Sequence, residues 1–70
     1  MLLVPKGLVR KQKELLKKKF GKCWIVPITA ELRTFYPDMN QKTARNRVEY
    51  YFTTGKNSYG VYAIVERLLN

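Results

Sequence analysis

Residues 28–55 read ITAELRTFYPDMNQKTARNRVEYYFTTG, and their punctuation predicts two helices joined by a tight turn. Thr29 is a side chain of the kind that caps a helix N-terminus, with Ile28 before it as a hydrophobic staple. The first helix then runs from Ala30 to Phe35 or Tyr36. Pro37 ends it, because the residue before a proline is sterically kept out of the helical region. Pro37-Asp38-Met39 is turn chemistry, and Asn40 is a second N-cap. The next helix runs from about Gln41 to Thr53 or Thr54, with Gly55 placed where a left-handed stop costs least. At 100° per residue Ala44, Val48 and Tyr51 share one stripe, the expected buried face. Lys42, Arg45, Asn46 and Glu49 fall on the opposite arc. In the shorter helix, Leu32 and one of Phe35 and Tyr36 are expected to face the core.

Working upstream, about Gly7 to Phe20 consists of good helix formers, and Gly21 follows as a stop. Leu8, Val9, Leu15, Leu16 and Phe20 recur at helical spacing, an apolar stripe on a lysine-covered cylinder. Lys17-Lys18-Lys19 occupies the last turn, where the helix dipole favours cations. Cys23-Trp24-Ile25-Val26 is a short apolar run stopped by Pro27 and reads as a strand. Downstream, Gly55 to Ser58 is a turn, and Val61-Tyr62-Ala63-Ile64-Val65 is rich in strand formers. The same stretch also fits the helical template through Val61, Ile64, Val65 and Leu68. The expected fold class is therefore α+β, three helices with a small β-sheet, the C-terminal strand having a fourth helix as its alternative.

Seventy residues allow one domain, and a small one. Cys23 is the single cysteine and there is no histidine, so an internal disulfide is excluded and a four-ligand zinc site is not expected. Apolar residues make up 46% of the chain and aromatics 13%, enough to build a core without a cofactor. Cys23 itself is expected to be a small buried hydrophobe. No apolar run reaches the ~20 residues that span a bilayer, and Met1-Leu2-Leu3-Val4 is too short for a signal segment. The expectation is an intracellular, cytoplasmic protein.

Charge is the loudest signal. Fourteen Lys and Arg stand against five Asp and Glu, a net +9 with a pI near 10.0. Residues 1–22 carry +7 of that net charge and residues 23–70 only +2. Such an excess repels itself in a compact domain and points to a polyanionic partner. Catalysis finds no support: the carboxylates are scattered singly, and there is no acid–base pair, nucleophile motif or glycine-rich phosphate loop.

The segment from Ile28 to Gly55 resembles the helix-turn-helix of winged-helix transcription regulators. Leu32 matches the central leucine of the first helix of that unit. TARNRVEYY resembles its recognition helix, with Val48 and Tyr51 facing the core. Size and style are similar to small regulators of archaea and their viruses. The resemblance implies a winged helix-turn-helix that binds duplex DNA, as a transcription regulator does. Only Lys56 to Gly60 is left for a wing, which would be short or vestigial.

A helix fits the major groove, and its N-terminal half meets base edges and phosphates. Asn40, Gln41, Arg45 and Asn46 have base-reading chemistry: Arg pairs with guanine, Asn or Gln with adenine. Lys42, Thr43 and Lys56 are the expected phosphate contacts, joined by Lys17 and Lys18 of the first helix. Glu49 on the same arc opposes phosphate unless it meets cytosine. Tyr50 and Tyr59 are the candidates for exposed aromatics. A homodimer is a form such modules take, with the apolar Met1–Val4 and Leu68–Leu69 segments as candidates for its contact. Two other readings fit the same residues: an RNA-binding component of a ribonucleoprotein, and a protein–protein adaptor on a helix-turn-helix fold.

Overall fold

Pro27 decides how the chain enters its core. A proline is tolerated in the first turn of a helix, where its missing N–H has no intrahelical acceptor. In the computed structural model, which describes residues 3–70, Pro27 is the third residue of a helix that opens at Ile25. The apolar run Cys23–Val26 is thus not a strand. It is the end of a 3₁₀ turn, Gly21–Cys23, and the start of this helix. Thr29, expected as its cap, lies inside it, buried, with its hydroxyl donating to the Ile25 carbonyl at 2.9 Å.

Four helices follow one another: α1 (Lys6–Phe20), α2 (Ile25–Phe35), α3 (Gln41–Thr54) and α4 (Val61–Leu69). Among the described residues there is no strand and no sheet, so the fold is all-helical and the expected α+β class is overturned. With Cys23–Val26 helical, a strand at Val61–Val65 would have no neighbour to satisfy its backbone. The helical alternative wins, and Val61, Ile64 and Val65 go into the core. The Asn57 carboxamide oxygen accepts from the Tyr62 N–H at 3.0 Å and satisfies a free donor of the first turn of α4. The expected wing is replaced by the loop Lys56–Gly60, whose extended pairing is an isolated antiparallel bridge between Leu3 and Lys56.

The α3 boundaries agree with the expectation. The Asn40 side chain accepts from the Thr43 N–H at 2.7 Å, and Gly55 closes the helix at φ 77°, ψ 2°, its N–H bonded to the Tyr51 carbonyl. Gly55 has a second duty. Its carbonyl accepts from the Val4 N–H at 2.8 Å, and a Cβ there would lie 2.7 Å from the Val4 carbonyl oxygen.

The core is built from Val9 and Leu16 of α1, Ile28 and Leu32 of α2, Ala44, Val48 and Tyr51 of α3, and Val61, Ile64 and Val65 of α4. Ala44, Val48 and Tyr51 are fully buried, as their spacing predicts. The α1 stripe differs: Leu8 and Leu15 are 36% and 43% exposed, while Gln12 takes a core position between Val9 and Leu16. Phe35 and Tyr36 are both exposed, leaving Leu32 as the inward residue at that end of α2. Cys23 is exposed rather than buried. Leu68 and Leu69 pack against this same core. Of the amino-terminal segment that is the other candidate for a dimer contact, Met1 and Leu2 lie outside the described residues.

Gln12 is in the core because it has partners on both sides. Its Oε1 accepts from the Tyr51 hydroxyl at 2.6 Å, and its Nε2 donates to Glu66 Oε1 at 2.9 Å. One carboxamide therefore joins α3, α1 and α4. Burial pushes the Tyr51 hydroxyl pKa up to about 12, with Tyr62 and Glu66 adding to the effect and the Gln12 bond working against it. The Tyr62 hydroxyl is also raised, first by the negative charge of Glu66 and then by desolvation.

Candidate nucleic-acid interface

Because α3 buries the stripe Ala44–Val48–Tyr51, its other side faces solvent. Gln41, Lys42, Arg45, Asn46 and Glu49 are all exposed, and Thr43 is half-buried. Around the helix, Lys42, Asn46, Glu49 and Thr53 form the outermost arc, directly opposite the buried stripe. Gln41 and Arg45 sit on its α2 flank. There they line a shallow groove of about 170 Å³ together with Val26, Ala30 and Arg33. Lys56 lies past the end of the helix, at the other edge of the arc, with its ammonium 5.9 Å from the centre of the Tyr50 ring.

Two of the expected readers have other engagements. The Asn40 carboxamide oxygen is held as the α3 cap, leaving its amide hydrogens and one oxygen lone pair for a ligand. Arg45 Nε is 3.4 Å from Glu49 Oε1, one turn on, with the two side chains 65% and 49% exposed. An exposed pair at this spacing is worth only about 0.3–0.5 kcal/mol, so Arg45 can be drawn away by a stronger acceptor. Glu49 then has a structural account: it holds the Arg45 guanidinium against the face of α3.

Lys17 and Lys18 are separated by α1. Adjacent residues differ by 100° round a helix. Lys17 falls on the side nearest Trp24, with which it lines a surface depression along with Lys22. Lys18 falls on the side of the exposed Leu15. Lys19 is recruited into the fold, its ammonium donating to the Leu68 carbonyl at 2.6 Å at the end of α4.

Several basic residues that sequence reasoning left out belong to the same surface. Arg33 lies in the α2–α3 groove beside Arg45, and its Nε donates to the Met39 carbonyl at 3.3 Å. Lys6, Arg10 and Lys13 line a depression next to Phe52, Thr53 and Gly55 at the end of α3. The signal for these was the i, i+4, i+7 spacing in α1, masked by the density of lysines around them. Arg47 is on the opposite flank of α3, its guanidinium 5.1 Å from the Tyr59 ring centre, and Tyr59 meets Tyr36 edge-on at 5.3 Å. Tyr50 and Tyr59 are exposed as expected, although Phe35 and Tyr36 are exposed with them. Trp24 is not free to stack, since it packs edge-on against Phe52 at 4.9 Å.

No helix of the described residues is long and apolar enough to cross a membrane. Comparison with protein-family models, curated proteins and solved structures finds no match to this chain.

Proposed function

We propose that this chain binds duplex DNA in a sequence-selective way, by laying the exposed face of α3 in the major groove, and that it serves as a transcription regulator. The observation that carries this reading is the division of α3 into two independent halves. Its buried stripe and both caps are complete within the domain, and the core makes no use of Gln41, Lys42 or Asn46. Among the described residues Arg45 pairs only with its exposed neighbour Glu49. A helix so anchored presents guanidinium and carboxamide groups of the kind that pair with base edges. The net charge of +9 supplies the attraction to phosphate that such contacts require.

The roles divide by chemistry. Arg45 and Asn46 are the base readers, with Gln41 at the groove edge. Lys42, Thr43 and Lys56 contact phosphate and set the register. Asn40 holds the helix end and contributes its amide to the ligand.

Fluorescence anisotropy of labelled duplex DNA, single-stranded DNA and hairpin RNA, titrated at several salt concentrations, tests the reading. Duplex preference with a steep negative log–log salt slope is expected. Arg45→Ala is expected to lose roughly 1–3 kcal/mol of discrimination at one base pair of a selected site. Equal loss on selected and random DNA would refute the role given to α3. Preference for the hairpin would replace duplex DNA by structured RNA as the partner.

A further inference from the structure

The lysines of α1 are not one continuous belt. Lys6, Arg10, Lys13 and Lys17 recur at intervals of four, three and four, which places them within about 60° of one another. This flank borders the end of α3, through the depression that Lys6, Arg10 and Lys13 share with Thr53 and Gly55. Lys13 is steadied there by the Trp24 ring, 5.8 Å away. Lys11 and Lys18 lie roughly 120° further round, among the exposed leucines Leu8 and Leu15. Glu14, the one acid of α1, stands between the two flanks and shares a surface depression with Arg10, Lys13 and Lys17.

We propose that the flank Lys6–Arg10–Lys13–Lys17 is the track for one strand of the duplex backbone, and that the Lys11–Lys18 flank stays out of the interface. The proposal rests on the duplex-binding reading and assigns the second contact that reading needs. From Lys6 to Lys17 the helix rises about 16 Å. Because a strand winds about the duplex axis, its phosphates lie further apart than their ~3.4 Å axial rise, and that length matches roughly two or three of them. The α3 flank is suited to phosphate because the side chains that stand out from it, Lys6, Arg10, Lys13 and Lys17, are all cations, with Trp24 and Phe52 half-buried beneath them. A backbone laid on the other flank would leave Leu8 and Leu15 against charged oxygens. A lipid surface would favour that other flank, since it offers apolar side chains between cations. Lys18, which the sequence pairs with Lys17, is thereby assigned away from the nucleic acid.

The test uses two charge-matched variants of the full chain, Lys6→Gln with Lys17→Gln, and Lys11→Gln with Lys18→Gln. Each removes two positive charges from exposed positions of one helix, and glutamine is a good helix former. Circular dichroism establishes that both retain the parent's helix content. The readout is the log–log salt slope on duplex DNA, with anionic vesicles as a second ligand. The first variant is expected to flatten the slope by roughly 1.8, at about 0.9 for each phosphate left unneutralised. The second is expected to keep the parent slope. Equal flattening by both overturns the proposal while leaving the α3 reading intact, provided Arg45→Ala still alters discrimination. Vesicle binding abolished only in the second variant, with no slope change in the first, overturns it in favour of a lipid partner. Failure of the parent to bind duplex at low salt removes the underlying reading and this inference with it.

Discussion

Tyr51 on α3 donates its hydroxyl proton to Gln12 on α1 across 39 positions of sequence, with both side chains buried and the donor and acceptor oxygens 2.6 Å apart. The bond makes two demands. Gln12 must sit in an apolar stripe where a leucine would otherwise be expected, and Tyr51 must stay protonated. Glu66 answers the first by accepting the Gln12 amide proton.

Replacing Gln12 by leucine is expected to destabilise the domain by roughly 1–3 kcal/mol, although it makes α1 more apolar. A buried hydroxyl left without an acceptor costs more than the added methyl groups return. The double variant Gln12→Leu with Tyr51→Phe is expected to recover much of that loss. Urea denaturation of the three proteins measures this, and a stabilised Gln12→Leu single variant would contradict the account.

Alkali is expected to take more stability from the parent than from Tyr51→Phe. In the folded state the Tyr51 pKa is raised from 10.0 to about 12. The unfolded chain therefore releases this proton first. Stability from the protonated group is complete below pH 10 and declines as pH rises toward 12. Thermal melting across roughly pH 8–12 should show the stability gap between parent and Tyr51→Phe narrowing above about pH 10. A gap constant over that range would mean that Tyr51 titrates as it does in water.

Gly55→Ala is expected to cost about 2 kcal/mol or more, and Gly60→Ala about 1 kcal/mol. Both glycines have positive φ, where an L-residue is strained. Only at Gly55 would the new methyl also collide with backbone, at the Val4 carbonyl. Comparing the two melting temperatures separates the collision from the strain. Equal losses would show that the Val4 segment moves aside freely.

The Cys23 thiol is exposed, so it is expected to react with a thiol reagent in the native state, without prior unfolding. The measurement is the reaction rate with and without denaturant. A rate that rises by orders of magnitude in denaturant would show a covered thiol.

The parts of this fold that are legible in the sequence are those set by local chemistry. Asn40, Gly55 and the stripe Ala44–Val48–Tyr51 define α3 without help from the rest of the chain. The α2 start is not legible, because Pro27 reads equally as a strand stop and as a first-turn residue, and only packing chooses. Val61–Val65 is ambiguous for a related reason: β-branched side chains favour strands until no partner strand exists. Gln12 cannot be found from periodicity, since its burial depends on Tyr51 and Glu66, far away in sequence. Within the candidate site, the exposed residues of α3 are readable from its buried stripe. The spacing of Lys6, Arg10, Lys13 and Lys17 groups them on one flank of α1, but which flank borders α3 is not readable, because it depends on where the end of α3 and Trp24 come to rest.

The α3 arc of Lys42, Asn46, Glu49 and Thr53 contributes no side chain to the core. Substitutions there leave the caps, the buried stripe and the Gln12 junction intact. The domain is therefore a scaffold whose outward text can be rewritten position by position while its folding instructions stay the same. A library randomised at those four sites with proline left out is expected to keep one common architecture in most of its members.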